Sequence, residues 1–224
     1  MEEFSDIPSV DFVENTAPRL PCIVLVDGSD SMSGNGRIDQ LNEGLKQFAQ
    51  DLKDDPNSRT GVRLKVIRFG GHVEDLVDWT DGKDFEAPQV RTSGLTPLGI
   101  AVNKALDDLE DEKRRMDEAD IIRKRAWVFI FTDGDPTDDD WEAAADRCRA
   151  LEQAGSICVY GVGVDGANTE NLARFSADNP PAMLRSADFK AFFKFLAAST
   201  RAGSIGTKGE TVQSSQQTPW TFKV

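Results

Sequence analysis

The sequence predicts a single doubly wound α/β domain with a mostly parallel central sheet, one antiparallel edge strand and helices on both faces. Short apolar runs alternate along the chain with amphipathic stretches of helical period. Three of those runs are apolar almost without interruption, as parallel strands covered on both faces must be. The 224 residues are enough for one large core and short for two.

The elements follow in order. CIVLV (22–26) reads as the first buried strand and IDQLNEGLKQFAQDLK (38–53) as the helix behind it. VRLKVIRF (62–69) alternates, and Gly70 and Gly71 join it tightly to VEDLVDW (73–79), which makes a hairpin and an antiparallel edge. A helix over 97 to about 117 leads to WVFIF (127–131), and one over 138–154, stopped by Gly155, leads to ICVYGVGV (157–164). Helices over 168–177 and 188–202 complete the domain. Its expected boundaries are an extension at 1–19, the domain at 20–202 and a flexible tail at 203–224. The stretch GSIGTKGETVQSSQQTP (203–219) is too polar to offset its ordering entropy, whereas Trp220, Phe222 and the alternation up to Val224 suggest a docking strand, with the 73–79 edge as one candidate site.

Charge narrows the function. With 26 basic and 39 acidic residues the net charge is -13, which disfavours nucleic acid and anionic membrane as partners and suits cations or basic proteins. The N-terminus carries acids where a secretory signal needs a basic and then apolar start, and no stretch is apolar for a membrane span, so a cytoplasmic location is expected. Cys22, Cys148 and Cys158 lack C-x-x-C spacing and read as buried free thiols. His72, the single histidine, lies at the hairpin and leaves little for a histidine-based catalytic triad.

Ligands of an open parallel sheet collect at the carboxyl ends of its strands, and three loops there concentrate oxygen side chains: DGSDS (27–31), SGLTPLG (93–99) and TDGDP (132–136). Asp27, Ser29, Ser31, Thr96 and Asp133 offer hydroxyls and carboxylates without nitrogen or sulfur, a set suited to a hard cation such as Mg2+. The alternate spacing of D-x-S-x-S lets an extended turn aim its side chains together. A P-loop is excluded because no Lys follows Gly34, and a haloacid-dehalogenase-like loop is disfavoured because Ser29 stands where its second acid belongs. Asp135, Asp138, Asp139 and Asp140 read as N-terminal acids of the following helix, Asp135 being close enough to influence a bound cation; EDEKRRMDEADIIRKR (110–125) reads as a solvated helix and its exit, with an Asp111–Arg115 pair.

These loops resemble the metal-ion-dependent adhesion site of von Willebrand factor type A (VWA) domains, a Rossmann-like family whose pattern is D-x-S-x-S followed by a separate Thr and a separate Asp. The resemblance covers about 20–202 and matches at all five positions. It implies that the serines, and directly or indirectly Thr96, hold the metal while the acids act largely through water, leaving an electrophilic cation that accepts a partner's acidic side chain. VFIFTDGDPTDDDWEAA, GLTPLG and FKAFFKFLAAST are similar to stretches of TerY-like proteins of bacterial tellurium-resistance and stress-response operons, which implies a protein kinase and a PP2C-like phosphatase as partners. Asp30 stands where the family often has Gly, and no cysteine-rich zinc module follows. The expectation is therefore a non-enzymatic, metal-dependent protein-binding module in stress-response or phosphorylation signalling, carrying Mg2+, with Mn2+ or Ca2+ as alternatives. The competing reading is a metal-dependent phosphohydrolase, which would need a base and a basic clamp, and only Arg37 and Arg91 stand at the loop margins.

Overall fold

The computed structural model describes residues 18–164 and 166–184, residues 189, 192–194 and 196–198, and two short strands at 211–213 and 221–223. The elements in chain order are β1 (Leu20–Asp27), α1 (Arg37–Asp54), a four-residue α2 (Ser58–Gly61), β2 (Val62–Gly70), β3 (His72–Asp81), α3 (Leu98–Glu118), β4 (Ala126–Thr132), α4 (Trp141–Gln153), β5 (Ile157–Val164), α5 (Thr169–Ala173) and β6 (Ala182–Leu184). They form a six-stranded sheet of order β3-β2-β1-β4-β5-β6. All its pairings are parallel except β2 with β3, where Gly70 faces His72 across the tight turn. Thr211–Gln213 (β7) and Thr221–Lys223 (β8) pair antiparallel with each other.

The alternation of side chains along the strands divides the core into two layers. Cys22, Val24 and Val26 of β1 join Leu41, Leu45, Phe48 and Leu52 of α1 and Phe189, Phe192, Phe193 and Leu196 on one face. Ile23 and Leu25 join Leu98, Val102, Leu106 and Leu109 of α3 and Ala144, Ala145 and Cys148 of α4 on the other. Contact between α1 and the late helical residues is so close that a Cβ at Gly44 would come within 2.6 Å of the Phe193 ring. All three cysteines are buried and free, and burial pushes the Cys148 thiol up to about 12 and that of Cys158 to about 11.

Several boundaries differ from the sequence reading. α4 begins at Trp141 rather than 138, and α5 ends at Ala173 rather than 177. β6 is an additional three-residue strand without a periodic signal. The final turns of the helix over 98–118 are solvated on one face only: Asp111, Arg114, Arg115 and Asp117 are exposed while Glu112, Lys113 and Met116 are buried, and Asp111 pairs with Arg114 at 2.7 Å rather than with Arg115. Residues 1–17 and most of the tail, Trp220 included, lie outside the described residues; the strand at 221–223 finds its partner within the tail at 211–213. Among the described residues no helix is long and apolar enough to cross a membrane.

Candidate metal centre

Strand order reverses between β1 and β4: the chain leaves β1 toward β2 on one side and continues from β4 toward β5 on the other. Such a switch point opens a crevice beyond the strands' carboxyl ends. Asp27, the last residue of β1, and Thr132, the last of β4, meet there through a 2.6 Å hydrogen bond from Thr132 Oγ1 to Asp27 Oδ2.

Four of the five predicted residues are joined by hydrogen bonds, and the fifth, Thr96, faces Ser31 beside Gly134. Asp27 Oδ1 accepts the Ser29 backbone N–H at 2.7 Å. Ser29 Oγ lies 2.9 Å from Ser31 Oγ, and Ser31 Oγ donates to Asp133 Oδ1 at 2.6 Å. Since the one Ser31 proton goes to Asp133, Ser29 is the donor in the Ser29–Ser31 contact. Thr96 Oγ1 and Ser31 Oγ face the same point beside Gly134, where an added Cβ would lie 3.5 and 3.8 Å from them. Burial grades outward: Asp27, Ser29, Thr96 and Asp133 are buried, and Ser31 is exposed at the rim. Burial, reinforced by the charge of Asp133, raises the Asp27 carboxyl above its ordinary range against the opposing hydrogen bonds from Ser29 and Thr132.

Backbone clips hold the loops in register. Gly28 O accepts from Ser93 N at 2.7 Å and from Arg68 Nη2 at 3.0 Å, and Asp30 N donates to Gly94 O at 2.9 Å. Arg68 also donates to Arg91 O, Ser93 Oγ and Glu74. The packing leaves no room for side chains: a Cβ at Gly28 would sit 2.4 Å from Arg68 Nε, and one at Gly70 would sit 2.2 Å from Gly28 O. Thr96 is fixed from the third loop, its N–H donating to Thr137 Oγ1 at 3.0 Å and its carbonyl accepting Thr137 N–H at 2.9 Å.

Four further side chains take part, of which the sequence reading placed Thr132 in the third loop and Arg37 at a loop margin without assigning either a role. Thr132 supports Asp27, Arg68 braces the first loop, Thr137 positions Thr96, and Arg37 Nη1 binds Asp133 Oδ2 at 2.5 Å. Asp138 serves a different helix from the one expected: it accepts Gly99 N–H and Ile100 N–H at 3.1 and 2.8 Å, capping α3 rather than α4. Asp135 accepts Asn171 Nδ2 at 2.9 Å. Among the described residues no three His, Cys, Asp or Glu side chains gather into a metal cluster.

The fold and crevice define a doubly wound α/β domain with an oxygen-lined site at its switch point. The chain belongs to the von Willebrand factor type A domain family, whose model matches residues 22–198. No curated protein matches the sequence. Among solved structures, the pilus adhesin SpaC of Lactobacillus rhamnosus GG superposes with a TM-score of 0.65 at 14% identity, covering 84% of this chain and 30% of SpaC. Proximal thread matrix protein 1 of the mussel byssus gives 0.57 at 15%, covering 82% and 48%. Manganese-loaded TRAP protein of Plasmodium vivax gives 0.56 at 20%, covering 77% and 71%. The chain thus spans less than half the length of the first two, and these likenesses carry the fold alone.

Proposed function

We propose that this chain is a metal-dependent protein-binding module in which Asp27, Ser29, Ser31, Thr96 and Asp133 form a complete metal-ion-dependent adhesion site for one divalent cation. The observation that carries the reading is the Ser29–Ser31–Asp133 chain, with Thr96 turned to the same point and Ser31 reaching solvent. Ser31 donates its proton to Asp133 and accepts from Ser29, which leaves it one lone pair for a cation, and hydroxyls with two acids suit Mg2+, then Mn2+ or Ca2+. The manganese carried by TRAP supports the same class of ion. A bound cation with few charged ligands supplies an electrophilic position for an acidic side chain of a protein partner. The residues around it orient that contact: Leu95 and Ile100, 69% and 50% exposed, flank Thr96 and offer apolar surface beside the site.

The TerY-like stretches support a place in a stress-response or phosphorylation assembly with a protein kinase and a PP2C-like phosphatase, in the cytoplasm, without catalysis by this chain. In support of a non-enzymatic role, Arg37 is engaged with Asp133, Arg68 with Glu74 and loop oxygens, and His72 stands exposed 3.5 Å from Glu74. Calorimetric titration with Mg2+ and Mn2+ tests the assignment: the wild type binds one cation and Asp133→Ala binds at least tenfold more weakly, on the order of 1.4 kcal/mol. Equal binding by both proteins overturns it. Hydrolysis of generic phosphate esters that depends on Mg2+ or Mn2+ and is lost in Asp133→Ala would replace the binding role with the phosphohydrolase.

A further inference from the structure

We propose that Arg37 is a built-in counter-ion of Asp133 that competes electrostatically with the divalent cation and sets the affinity of the site. This inference rests on the metal-centre reading above. The sequence leaves Arg37 at the margin of the first loop, six residues beyond Ser31. The backbone brings it back. After the 3-10 turn that begins at Asp30, Gly34 is extended, and Asn35 and Gly36 adopt left-handed conformations with φ of 55° and 68°. That reversal starts α1 at Arg37, whose Nη1 reaches both Ser31 O at 3.2 Å and Asp133 Oδ2 at 2.5 Å.

Helix electrostatics do not account for a cation at this position. The first residue of a helix lies at the positive end of the macrodipole, where an acid is favoured and an arginine is not. The carboxylate supplies the stabilisation: Asp133 has 1% of its side chain exposed and Arg37 has 17%, so the pair is only weakly screened. The two Asp133 oxygens are divided between Ser31 and Arg37. Arg37 offsets the charge of Asp133, so an arriving cation meets a less negative site than the two carboxylates alone would present. The guanidinium thereby holds Ser31 and Asp133 in position before the cation arrives and weakens the cation's binding once it does. A residue of purely structural importance would give only the first effect.

The test is calorimetry with MgCl2 and MnCl2, together with thermal melting in EDTA and in excess Mg2+, on full-length wild type, Arg37→Ala, Arg37→Gln and Arg37→Lys. Arg37→Ala and Arg37→Gln are expected to bind the cation about tenfold more tightly while melting at lower temperature in EDTA. Arg37→Lys keeps the charge and stays near wild-type affinity. Arg37→Gln keeps part of the aliphatic stem and a polar end without the charge, a milder change if the alanine variant is compromised. Equal or weaker cation binding by Arg37→Gln than by the wild type overturns the role of Arg37 and leaves the metal centre standing. Absence of cation binding in all four proteins overturns the metal centre, and this inference with it.

Discussion

The two ends of the parallel strands bury the same kinds of charge in opposite balance. At the amino edge, Arg19 just before β1, Arg63 near the start of β2, Asp81 at the end of antiparallel β3 and Glu112 of α3 form a chain: Arg19 to Asp81 at 2.6 Å, Arg63 to Asp81 at 3.3 Å and Arg63 to Glu112 at 2.8 Å. Two cations meet two anions, and all four residues are buried. At the carboxyl edge Asp27 and Asp133 are also buried, and Arg37 pairs with Asp133 while Asp27 is held by hydrogen bonds from Ser29 N and Thr132 Oγ1. A neutralised buried cluster is a closed piece of structure, whereas a cluster with excess negative charge stores repulsion that a further cation relieves.

The largest effect is expected at the amino edge. Asp81→Ala removes the carboxylate that buried Arg19 and Arg63 share, which costs about 3–5 kcal/mol and lowers Tm by roughly 10 °C in a chain of this size. The loss should be the same in EDTA and in Mg2+. A drop that Mg2+ reverses would erase the distinction between the two ends.

At the carboxyl edge the expected effect is smaller and conditional. A hundredfold excess of Mg2+ over its dissociation constant stabilises the wild type by about 2.7 kcal/mol through mass action. Asp133→Ala should abolish that shift and Ser29→Ala should reduce it, each leaving far-UV circular dichroism unchanged. Melting curves of the wild type that coincide with and without Mg2+ count against a cation-binding edge.

The smallest effect sharpens the picture of the amino edge. Lys113 is buried in the same helix as Glu112 and donates to Ser156 O and Oγ at 3.2 and 2.6 Å. Burial depresses its ammonium to about 8, with Arg123 adding to the shift. The unfolded chain therefore binds more protons between about 8 and the ordinary lysine value of 10.5, and stability contributed by this group rises as pH rises through that window. Chemical denaturation at pH 7.5 and 9.5 should show this gain in the wild type and its absence in Lys113→Met, when the two are compared by difference so that other titrations cancel. A Lys113→Met protein with the same pH dependence as the wild type assigns the gain elsewhere.

The sequence by itself determined the parallel strands, the hairpin edge and the five-residue oxygen set, because each rests on a local signal. CIVLV, WVFIF and ICVYGVGV are apolar on both faces, Gly70 and Gly71 permit a tight reversal, and D-x-S-x-S carries its own spacing. Tertiary structure alone decided which side chains complete the site. Arg37 and Asp133 are 96 residues apart, Thr132 and Asp27 105, and Asp138 and Gly99 39. Those contacts depend on which loops the strand order brings together, and neither a period of 3.6 nor one of 2 records that order. For the same reason β6 and the capping of α3 by Asp138 were illegible. A three-residue strand is too short to show a period, and a carboxylate near two helix N-termini is assigned to one of them by the distance of the backbone N–H groups it meets.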